Sequence, residues 1–277
     1  MSSTLSIAVA QSQVTPDIAV NGAHIRELIG RAAAQGAALV LLPEGALSGY
    51  AKAQIRGWGG FDWTGLRAEL EQTAQHCAAL GISAAIGSAH PLGPDERPHN
   101  SVYVIGPDGA PETRYDKRLL SNTEIRDWYT PGFEPVTIER QGFVFGLSIC
   151  IEMQFPELFA DYERIGSDAV LHATYGLGLA GETVLRAHAA TNCLWIAVAS
   201  PANAAAEGAS GIIGPDGNWL ARCSYGVDIA IAALDRNDSR LDIALNKARP
   251  WRRVARVGEI YAERRSWSPR STKRSAF

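Results

Sequence analysis

The order of apolar and helical segments repeats in the two halves of the chain, and this repetition constrains the fold. Six apolar runs of strand length form two groups of three: Leu5–Val14, Ala38–Pro43, Ile82–Ala89, Phe143–Ile149, Asp168–Ala173 and Leu194–Ala199. Segments with helical spacing of apolar residues separate them, around Ile25–Ala32 and at Gly65–Leu80, Pro156–Ile165 and Glu182–Asn192. A last apolar run, Val227–Leu234, follows. Strands that alternate with helices predict an α/β fold.

One turn sequence also occurs once in each half. Gly-Pro-Asp-Gly stands at 106–109 and again at 214–217, each time directly after an apolar run. Such a turn predicts a hairpin. Its recurrence suggests an internal pseudo-repeat, although this tetrapeptide makes a good turn anywhere and could recur by chance. No linker composition separates the halves, so residues 1–277 are expected to form one domain.

Composition limits the class of protein. A hydrophobic share of 46% in 277 residues supplies a large core, and a net charge of -3 does not favour nucleic acid as the main partner. No run is long and apolar enough to span a bilayer, and the N-terminus does not resemble a signal peptide. Four separated cysteines predict a reduced, cytoplasmic protein. Motifs for metal or phosphate binding are absent, so neither a metal nor another cofactor is expected.

The segment from residue 236 onward is basic. It holds ten Arg and two Lys against two Asp and two Glu, a net charge of +8. Because Trp251, Val254, Val257 and Tyr261 are interleaved with the arginines, we expect residues 236–277 to pack, with 266–277 frayed at the end. Binding to RNA or a membrane is the alternative that such a charge also allows.

Three segments end in residues that can carry chemistry. An apolar run ends at Pro43-Glu44, a predicted hairpin is followed by Lys117, and a third apolar run ends at Cys150 before the helix that begins at Pro156. A thiol at a strand end beside a helix N-terminus is where a thiolate is stabilised. Taken singly, these residues would be a buried thiol, a solvated carboxylate and a surface ammonium. Their joint occurrence at strand ends predicts a catalytic site.

The three groups suit hydrolysis of an amide. A cysteine nucleophile needs a base, a proton donor for the leaving amine and a positive group for the oxyanion. Glu44 would take the thiol proton and pass it to the amine. Lys117 and the backbone N–H of Ile151 would stabilise the oxyanion. Cys150 would form a thioester, and Glu44 would then activate water to release the acid.

The surrounding motifs resemble those of the nitrilase superfamily of carbon–nitrogen hydrolases. Matching segments extend over about residues 5–262 and include the following: Pro43–Tyr50, Lys117–Leu120, Tyr129–Gly132, Cys150–Glu152, Phe155–Glu157 and Gly214–Gly217. The resemblance implies a four-layer αββα sandwich and a homodimer or higher homo-oligomer paired through helices beside the site, often with tails that cross the dimer. It also implies that Glu124 is a second carboxylate, which holds Lys117 and helps to orient substrate.

Further residues near these motifs are candidates for substrate binding: Tyr50, Trp128, Ile151, Glu152, His172 and Tyr175. His172 lies on an apolar strand and is as readily a core histidine with satisfied hydrogen bonds. Trp128 could equally fill a loop.

The expected substrate class follows from the absence of an arginine shortly after Cys150. Some members of this superfamily that act on amides with a carboxylate have an arginine where this chain has Met153-Gln154. A small neutral carboxamide is therefore the expected substrate. The exception would be a pocket into which another arginine, such as Arg126 or Arg186, extends. Nitrilases commonly have Trp where Ile151 stands. Nitrile hydrolysis and acyl transfer to an amine remain alternatives on the same triad, and a non-catalytic interaction module is disfavoured because all four site residues are present.

Overall fold

Two six-stranded sheets lie face to face in the computed structural model of the protein, which describes residues 3–275. The first sheet contains β1 (Thr4–Gln11), β2 (Leu39–Leu41), β3 (Ser83–His90), β4 (His99–Ile105), β5 (Pro111–Asp116) and β12 (Asp228–Asp235). The second contains β6 (Thr137–Arg140), β7 (Phe143–Ile149), β8 (Ala169–Ala173), β9 (Trp195–Ala199), β10 (Gly211–Ile213) and β11 (Trp219–Arg222). The strand orders are β12-β1-β2-β3-β4-β5 and β11-β10-β9-β8-β7-β6.

Helices cover the outer face of each sheet. The α-helices are α1 (Ile18–Ala34), α2 (Trp63–Leu80), α3 (Pro156–Arg164), α4 (Gly178–Asn192), α5 (Arg249–Val257), α6 (Glu259–Ala262) and α7 (Pro269–Thr272). Short 3-10 helices span Cys150–Gln154, Ala202–Glu207 and Ser239–Leu241, and π-helices span Glu124–Trp128 and Ile243–Ala248. The Asp17 side chain caps α1 by accepting from the N–H groups of Ala19 and Val20. Gly81, at φ +66°, ends α2 in the left-handed conformation.

The hydrophobic core has three layers, which confirms the predicted αββα sandwich. Between the sheets, β1, β2, β7 and β9 bury residues such as Ile7, Leu41, Phe145 and Trp195. A second layer packs α1 and α2 on the first sheet, and a third packs α3 and α4 on the second sheet. Because both faces of the central strands are covered, their sequences are continuous apolar runs rather than alternating ones.

The pairing pattern confirms the internal pseudo-repeat. In one half β1, β2 and β3 are parallel and β4 and β5 continue antiparallel; β7, β8, β9, β10 and β11 repeat this pattern. The two Gly-Pro-Asp-Gly turns are equivalent as well. A Cβ on Gly109 would meet the Ala74 carbonyl of α2 at 2.6 Å, and one on Gly217 would meet the Arg186 carbonyl of α4 at 2.9 Å. Each turn therefore packs against the helix of its own half, where only glycine fits.

Several predicted bounds differ from the structure, and one strand was not predicted. The first strand ends at Gln11 rather than Val14, because the backbone N–H of Val14 bonds to the Asn203 side chain instead of a neighbouring strand. Strand β6 had no prediction, because Thr137–Arg140 is a short and polar edge strand without an apolar run. The segment 194–199 is a strand from Trp195, and α4 begins at Gly178, four residues before the predicted start.

The basic tail lies on the helices of the second half. Arg249 pairs with Asp168, and Arg253 and Arg256 both pair with the buried carboxylate of Glu163 on α3. The predicted frayed end starts at residue 266. Within it α7 is exposed, and residues 276–277 lie outside the described part of the chain. No helix within residues 3–275 is long and apolar enough to cross a membrane.

Candidate active site

The predicted catalytic residues meet where strands of both sheets end. Lys117 follows β5, Glu44 lies three residues after β2, and Cys150 comes directly after β7. The carboxyl ends of parallel strands share one edge of a sheet, and the two sheets stack with these edges on the same side. The structure thereby brings Glu44, Lys117, Glu124 and Cys150 into one buried cluster.

Three donors from different elements fix the Glu44 carboxylate. The Lys117 ammonium lies 3.0 Å from Oε1, and the Asn100 side-chain amide on β4 donates to the same oxygen over 2.7 Å. The backbone N–H of Tyr175, just after β8, donates to Oε2 over 2.9 Å. The carboxylate is buried, so these hydrogen bonds replace its hydration and leave it little rotational freedom.

Lys117 bridges two carboxylates. Its fully buried ammonium donates to Glu44 Oε1 and, over 2.9 Å, to Glu124 Oε1. Burial alone would lower the pKa of Lys117, but the negative potential of Glu44, Cys150 and Glu124 outweighs it and raises the pKa above its usual value. Lys117 is therefore a fixed cation at any physiological pH.

Glu124 begins the π-helix Glu124–Trp128. Its second oxygen, Oε2, accepts the backbone N–H of Ser121 over 2.8 Å, and the Tyr50 hydroxyl lies 3.5 Å from Oε1. Burial opposes ionisation of this carboxyl, yet Lys117 and the Ser121 hydrogen bonds together hold its pKa below the usual range. Glu124 is accordingly ionised and oriented in the resting site.

Cys150 has a backbone conformation that L-residues rarely adopt. Its φ is +52°, at the junction between β7 and the 3-10 helix Cys150–Gln154. It is partly accessible, whereas Cys77, Cys193 and Cys223 are buried. Burial of the thiol, reinforced by the nearby charge of Glu44, raises the pKa of Cys150 to about 12 despite the opposing charge of Lys117. Cys150 is therefore a neutral thiol in the resting site and needs a base to react, which agrees with the predicted transfer of its proton to Glu44.

Glu152 holds the nucleophile turn to the lysine loop. Its carboxylate is completely buried and accepts backbone N–H groups from Arg118, Leu119 and Ile149, at 2.8, 3.1 and 2.7 Å. The Tyr115 hydroxyl donates to it as well, over 2.8 Å. Glu152 is one of the residues predicted from the sequence to bind substrate. In the structure protein donors occupy its oxygens, which gives it a positioning role.

Aromatic residues stand beside the carboxylates. The rings of Tyr50 and Tyr175 stack with centroids 4.3 Å apart, and both residues are half-buried. Trp128, at the end of the π-helix, accepts a hydrogen bond on its carbonyl from the Trp58 indole over 2.8 Å. Ile151 is half-buried in the turn after Cys150. These four predicted substrate-binding residues thus lie on four different segments: two loops, the π-helix and the 3-10 helix.

His172 lies behind the nucleophile strand. Its Nδ1 is 2.8 Å from the Ser148 hydroxyl, and its ring lies 6.5 Å from that of Phe159 on α3. Burial, reinforced by the Lys117 and His188 charges, lowers the pKa of His172 to about 3, so the ring is neutral. These contacts belong to the layer between the second sheet and α3, where Nδ1 has a hydrogen-bond partner and the buried Nε2 has none among the described residues.

Two residues of the cluster were not predicted from the sequence. Asn100 stands at the start of an antiparallel strand, where no apolar run ends. Thr174, one residue beyond β8, is buried, and its side chain opposes the increase in the pKa of Cys150. Thr174 follows an apolar run as Cys150 does, so the strand-end rule could have included it. No group of three metal-ligating side chains occurs within the described residues.

The geometry agrees with the comparison against protein families. The model of the carbon–nitrogen hydrolases matches residues 6–243, which is most of the chain. The chain belongs to the carbon–nitrogen hydrolase family. Its reaction class is therefore the hydrolysis of a carbon–nitrogen bond.

Similar carbon–nitrogen hydrolases include amidases from eukaryotes. The chloroplastic omega-amidase of Arabidopsis thaliana is 29% identical over 270 residues, which cover 88% of this chain and 72% of that protein. The deaminated glutathione amidase of Homo sapiens is 28% identical over 260 residues, covering 83% and 77%. A structure of an amidase from Nesterenkonia sp. AN1 has a TM-score of 0.77 at 23% identity, covering 93% of this chain and 97% of that one. This likeness shows the shared fold.

Proposed function

We propose that the protein hydrolyses a small neutral carboxamide to a carboxylic acid and ammonia or an amine through a thioester on Cys150. The observation that carries the proposal is the Lys117 ammonium, held between the Glu44 and Glu124 carboxylates at 3.0 and 2.9 Å beside the only partly accessible cysteine of the described chain. A fixed cation, a fixed base and a thiol are the three groups that this reaction requires.

The first half of the reaction forms the thioester. Because burial raises the pKa of the Cys150 thiol, the attack needs a base, and Glu44 takes the Sγ proton as the sulfur attacks the amide carbon. The carbonyl electron pair moves to oxygen, and Lys117 with the backbone N–H of Ile151 stabilises that oxyanion. When the carbonyl reforms, the C–N bond breaks and Glu44 passes its proton to the departing nitrogen.

The second half releases the acid. A water attacks the thioester carbon while Glu44 takes one of its protons. As the new carbonyl forms, the C–S bond breaks, the carboxylic acid leaves and the proton on Glu44 returns to sulfur. Glu44 therefore shuttles a proton in both halves, which accounts for the three hydrogen bonds that hold it in one orientation.

The charges around the site favour an uncharged substrate. Glu44 and Glu124 bring two carboxylates to the cluster, and the two arginines considered from the sequence have other partners. Arg126 is exposed and pairs with Asp127, and Arg186 donates to the carbonyl of Gly217 over 2.7 Å. Lys117 is already paired with both carboxylates, so a substrate carboxylate would lose hydration without gaining an unpaired cation. Structures of the Nesterenkonia amidase in complex with butyramide and acrylamide contain ligands of this neutral class.

A substrate panel tests the reaction and its class together. Ammonia release should be greater, as kcat/KM, for butyramide than for succinamate, the half-amide of a dicarboxylate, and Cys150→Ser should abolish both. With butyronitrile, turnover would instead indicate nitrile hydrolysis. Hydroxamate formation with hydroxylamine in excess over acid would indicate acyl transfer. A clear preference for succinamate would contradict the neutral-substrate proposal. Turnover by Cys150→Ser would contradict the nucleophile.

The tail supports a proposal about the partner, which is a second copy of the chain. On α5, Arg252 donates to the Ala190 carbonyl over 2.6 Å, and Arg253 and Arg256 bind Glu163, so the charged face of the helix lies against the body. Its apolar side chains face outward instead: Trp251, Val254 and Val257 are 57%, 48% and 68% exposed. These arginines bind groups of the same chain, so they are not positioned to bind the phosphates of a nucleic acid. The outward apolar face of α5 is instead suited to an interface with a second subunit.

Light scattering coupled to size-exclusion chromatography tests this proposal. The protein should have the mass of a dimer or higher oligomer, and the variant Trp251→Glu with Val254→Glu should have a smaller one. Val20→Glu, which changes a similarly exposed valine on α1, is the matched control and should keep the wild-type mass. A monomeric wild type would overturn the proposal.

A further inference from the structure

The π-helix that carries Glu124 is held at both ends by a single segment, Tyr50–Trp58. Lys52 contacts the residues just before the π-helix: its ammonium donates to the Thr123 hydroxyl over 2.6 Å and lies 3.4 Å from the Ser121 hydroxyl. At its last residue, the Trp58 indole donates to the Trp128 carbonyl over 2.8 Å. Five residues of helix are thus fixed from one side by two hydrogen-bonded side chains.

The contact at Lys52 is relayed to the Glu124 carboxylate. Ser121, one of the two hydroxyl residues that meet Lys52, donates its backbone N–H to Glu124 Oε2 over 2.8 Å. Its hydroxyl also accepts the backbone N–H of Glu124 over 3.3 Å. Any displacement of residues 121–123 would therefore disturb both hydrogen bonds between Ser121 and Glu124.

The backbone at Lys52 is strained. Its φ of +76° lies in the left-handed region, which costs a residue with a Cβ about 1 kcal/mol. A glycine would adopt this conformation without that cost, but glycine has no ammonium to reach Thr123. Strain that persists at a residue with a specific contact points to a role for that contact.

The same segment also contacts the Tyr175 loop, which holds Glu44. The Tyr50 ring stacks on Tyr175, and the Gln54 amide donates to the Tyr175 hydroxyl over 2.5 Å. The Tyr50 N–H in turn donates to the Gln54 side-chain oxygen over 3.1 Å. The segment thus connects the elements that position both carboxylates of Lys117.

We propose that Lys52 and Trp58 are positioning residues of the amidase, and that the segment Tyr50–Trp58 acts as a clasp that keeps Glu124 against Lys117. The inference rests on the proposed function of the cluster. If the clasp is released, Glu124 loses its orientation, and the Lys117 ammonium is drawn toward its remaining partner Glu44. The cation that should meet the oxyanion is then misplaced.

Two single substitutions release the two ends of the clasp. Lys52→Met keeps a long, unbranched side chain and removes the ammonium. Trp58→Phe keeps an aromatic ring and removes the indole N–H. Each should lower kcat for butyramide by about five- to tenfold with a smaller change in KM, because the lost hydrogen bond acts on the chemical step. Lys52→Arg should stay within about twofold of the wild type. Lys247→Met and Trp267→Phe, on the exposed tail, are the matched controls.

A double-mutant cycle separates positioning from general structural damage. In a Glu124→Gln background, Lys52→Met should have little further effect, because the group that it positions is already changed. Full additivity of the two substitutions would overturn the proposal, as would wild-type kcat in both single variants. If Lys52→Met does not fold, Thr123→Val removes the acceptor at the other side of the same hydrogen bond.

A second readout needs no amide substrate. The rate at which methyl methanethiosulfonate modifies Cys150 reports how readily the cluster takes up the thiol proton. Lys52→Met and Trp58→Phe should change this rate and its pH dependence, and the tail controls should not. If the wild type releases no ammonia but these shifts occur, the proposed function fails while the clasp stands. Unchanged rates in both clasp variants would contradict the clasp whatever the substrate.

Discussion

The backbone N–H of Tyr175 donates a hydrogen bond to Oε2 of Glu44 over 2.9 Å, so a carboxylate from the first half of the pseudo-repeat is oriented by the second half. On its other oxygen the same carboxylate accepts from Asn100 and Lys117, both of the first half. The cluster is therefore complete only when the two sheets are packed together. This explains why its residues are dispersed over more than a hundred positions of sequence.

Asn100 should be required for the orientation of Glu44. Asn100→Ala removes the donor at 2.7 Å and is expected to lower kcat about tenfold. Asn100→Asp should be worse in both activity and thermal stability, because it places a second buried carboxylate against Glu44. Asn246→Ala, which changes an exposed asparagine on the tail, is the control. Wild-type kcat in Asn100→Asp would contradict this assignment.

Glu152 should be needed for folding of the site rather than for substrate contact. In Glu152→Gln, the new NH2 group would face the N–H of Ile149 in one orientation and those of Arg118 and Leu119 in the other. A buried donor without an acceptor costs about 1–3 kcal/mol, so the free energy of unfolding should fall by about that amount. Chemical denaturation measures it, with the exposed Glu71→Gln as control. A variant as stable as the wild type with only KM increased would support the substrate-binding reading instead.

The parts of the site that the sequence could predict are those that follow from strand ends. Apolar runs end at Glu44 and Cys150, and a hairpin ends before Lys117, so parallel packing places all three at one edge. The fold follows similarly from the repeated order of strands and helices. The matching motifs indicated Glu124, which lies on no strand.

Residues that act through backbone geometry could not be predicted in the same way. The inward turn of Glu152 depends on the left-handed φ of Cys150, which residue type alone does not indicate. Asn100 reaches Glu44 because β4 is antiparallel to β3, which places the start of β4 beside the ends of the parallel strands. The raised pKa of Cys150 depends on burial and on the distance to Glu44, and neither can be read from the flanking sequence.

Gly87 on β3 should be irreplaceable because the Glu44 segment crosses it closely. A Cβ at this position would overlap the Pro43 carbonyl and lie 2.8 Å from the Glu44 Cα. Gly87→Ala should therefore displace Glu44, lower kcat about tenfold or more and destabilise the protein by about 1–3 kcal/mol. Gly59→Ala is the matched control, since nothing lies within 4 Å of its Cβ position. Equal activity and melting temperature in both variants would show that the Glu44 segment can move without consequence.

His172 should make the protein sensitive to acid. Burial holds its pKa at about 3, whereas the usual value in an unfolded chain is 6.5, so the folded state favours the neutral ring. The stability that this shift contributes is fully present above pH 6.5 and is lost as the pH falls from 6.5 toward 3. One proton taken up on unfolding gives a slope of at most about 1.4 kcal/mol per pH unit in this window. Glutamine cannot titrate, so in His172→Gln the free energy of unfolding should depend less steeply on pH between 6.5 and 3. Loss of the contact with Ser148 can also lower the stability of the variant at pH 7, but this does not change the expected slope. Urea unfolding at a series of pH values measures both slopes, and equal slopes would show that His172 is not the group that takes up the proton.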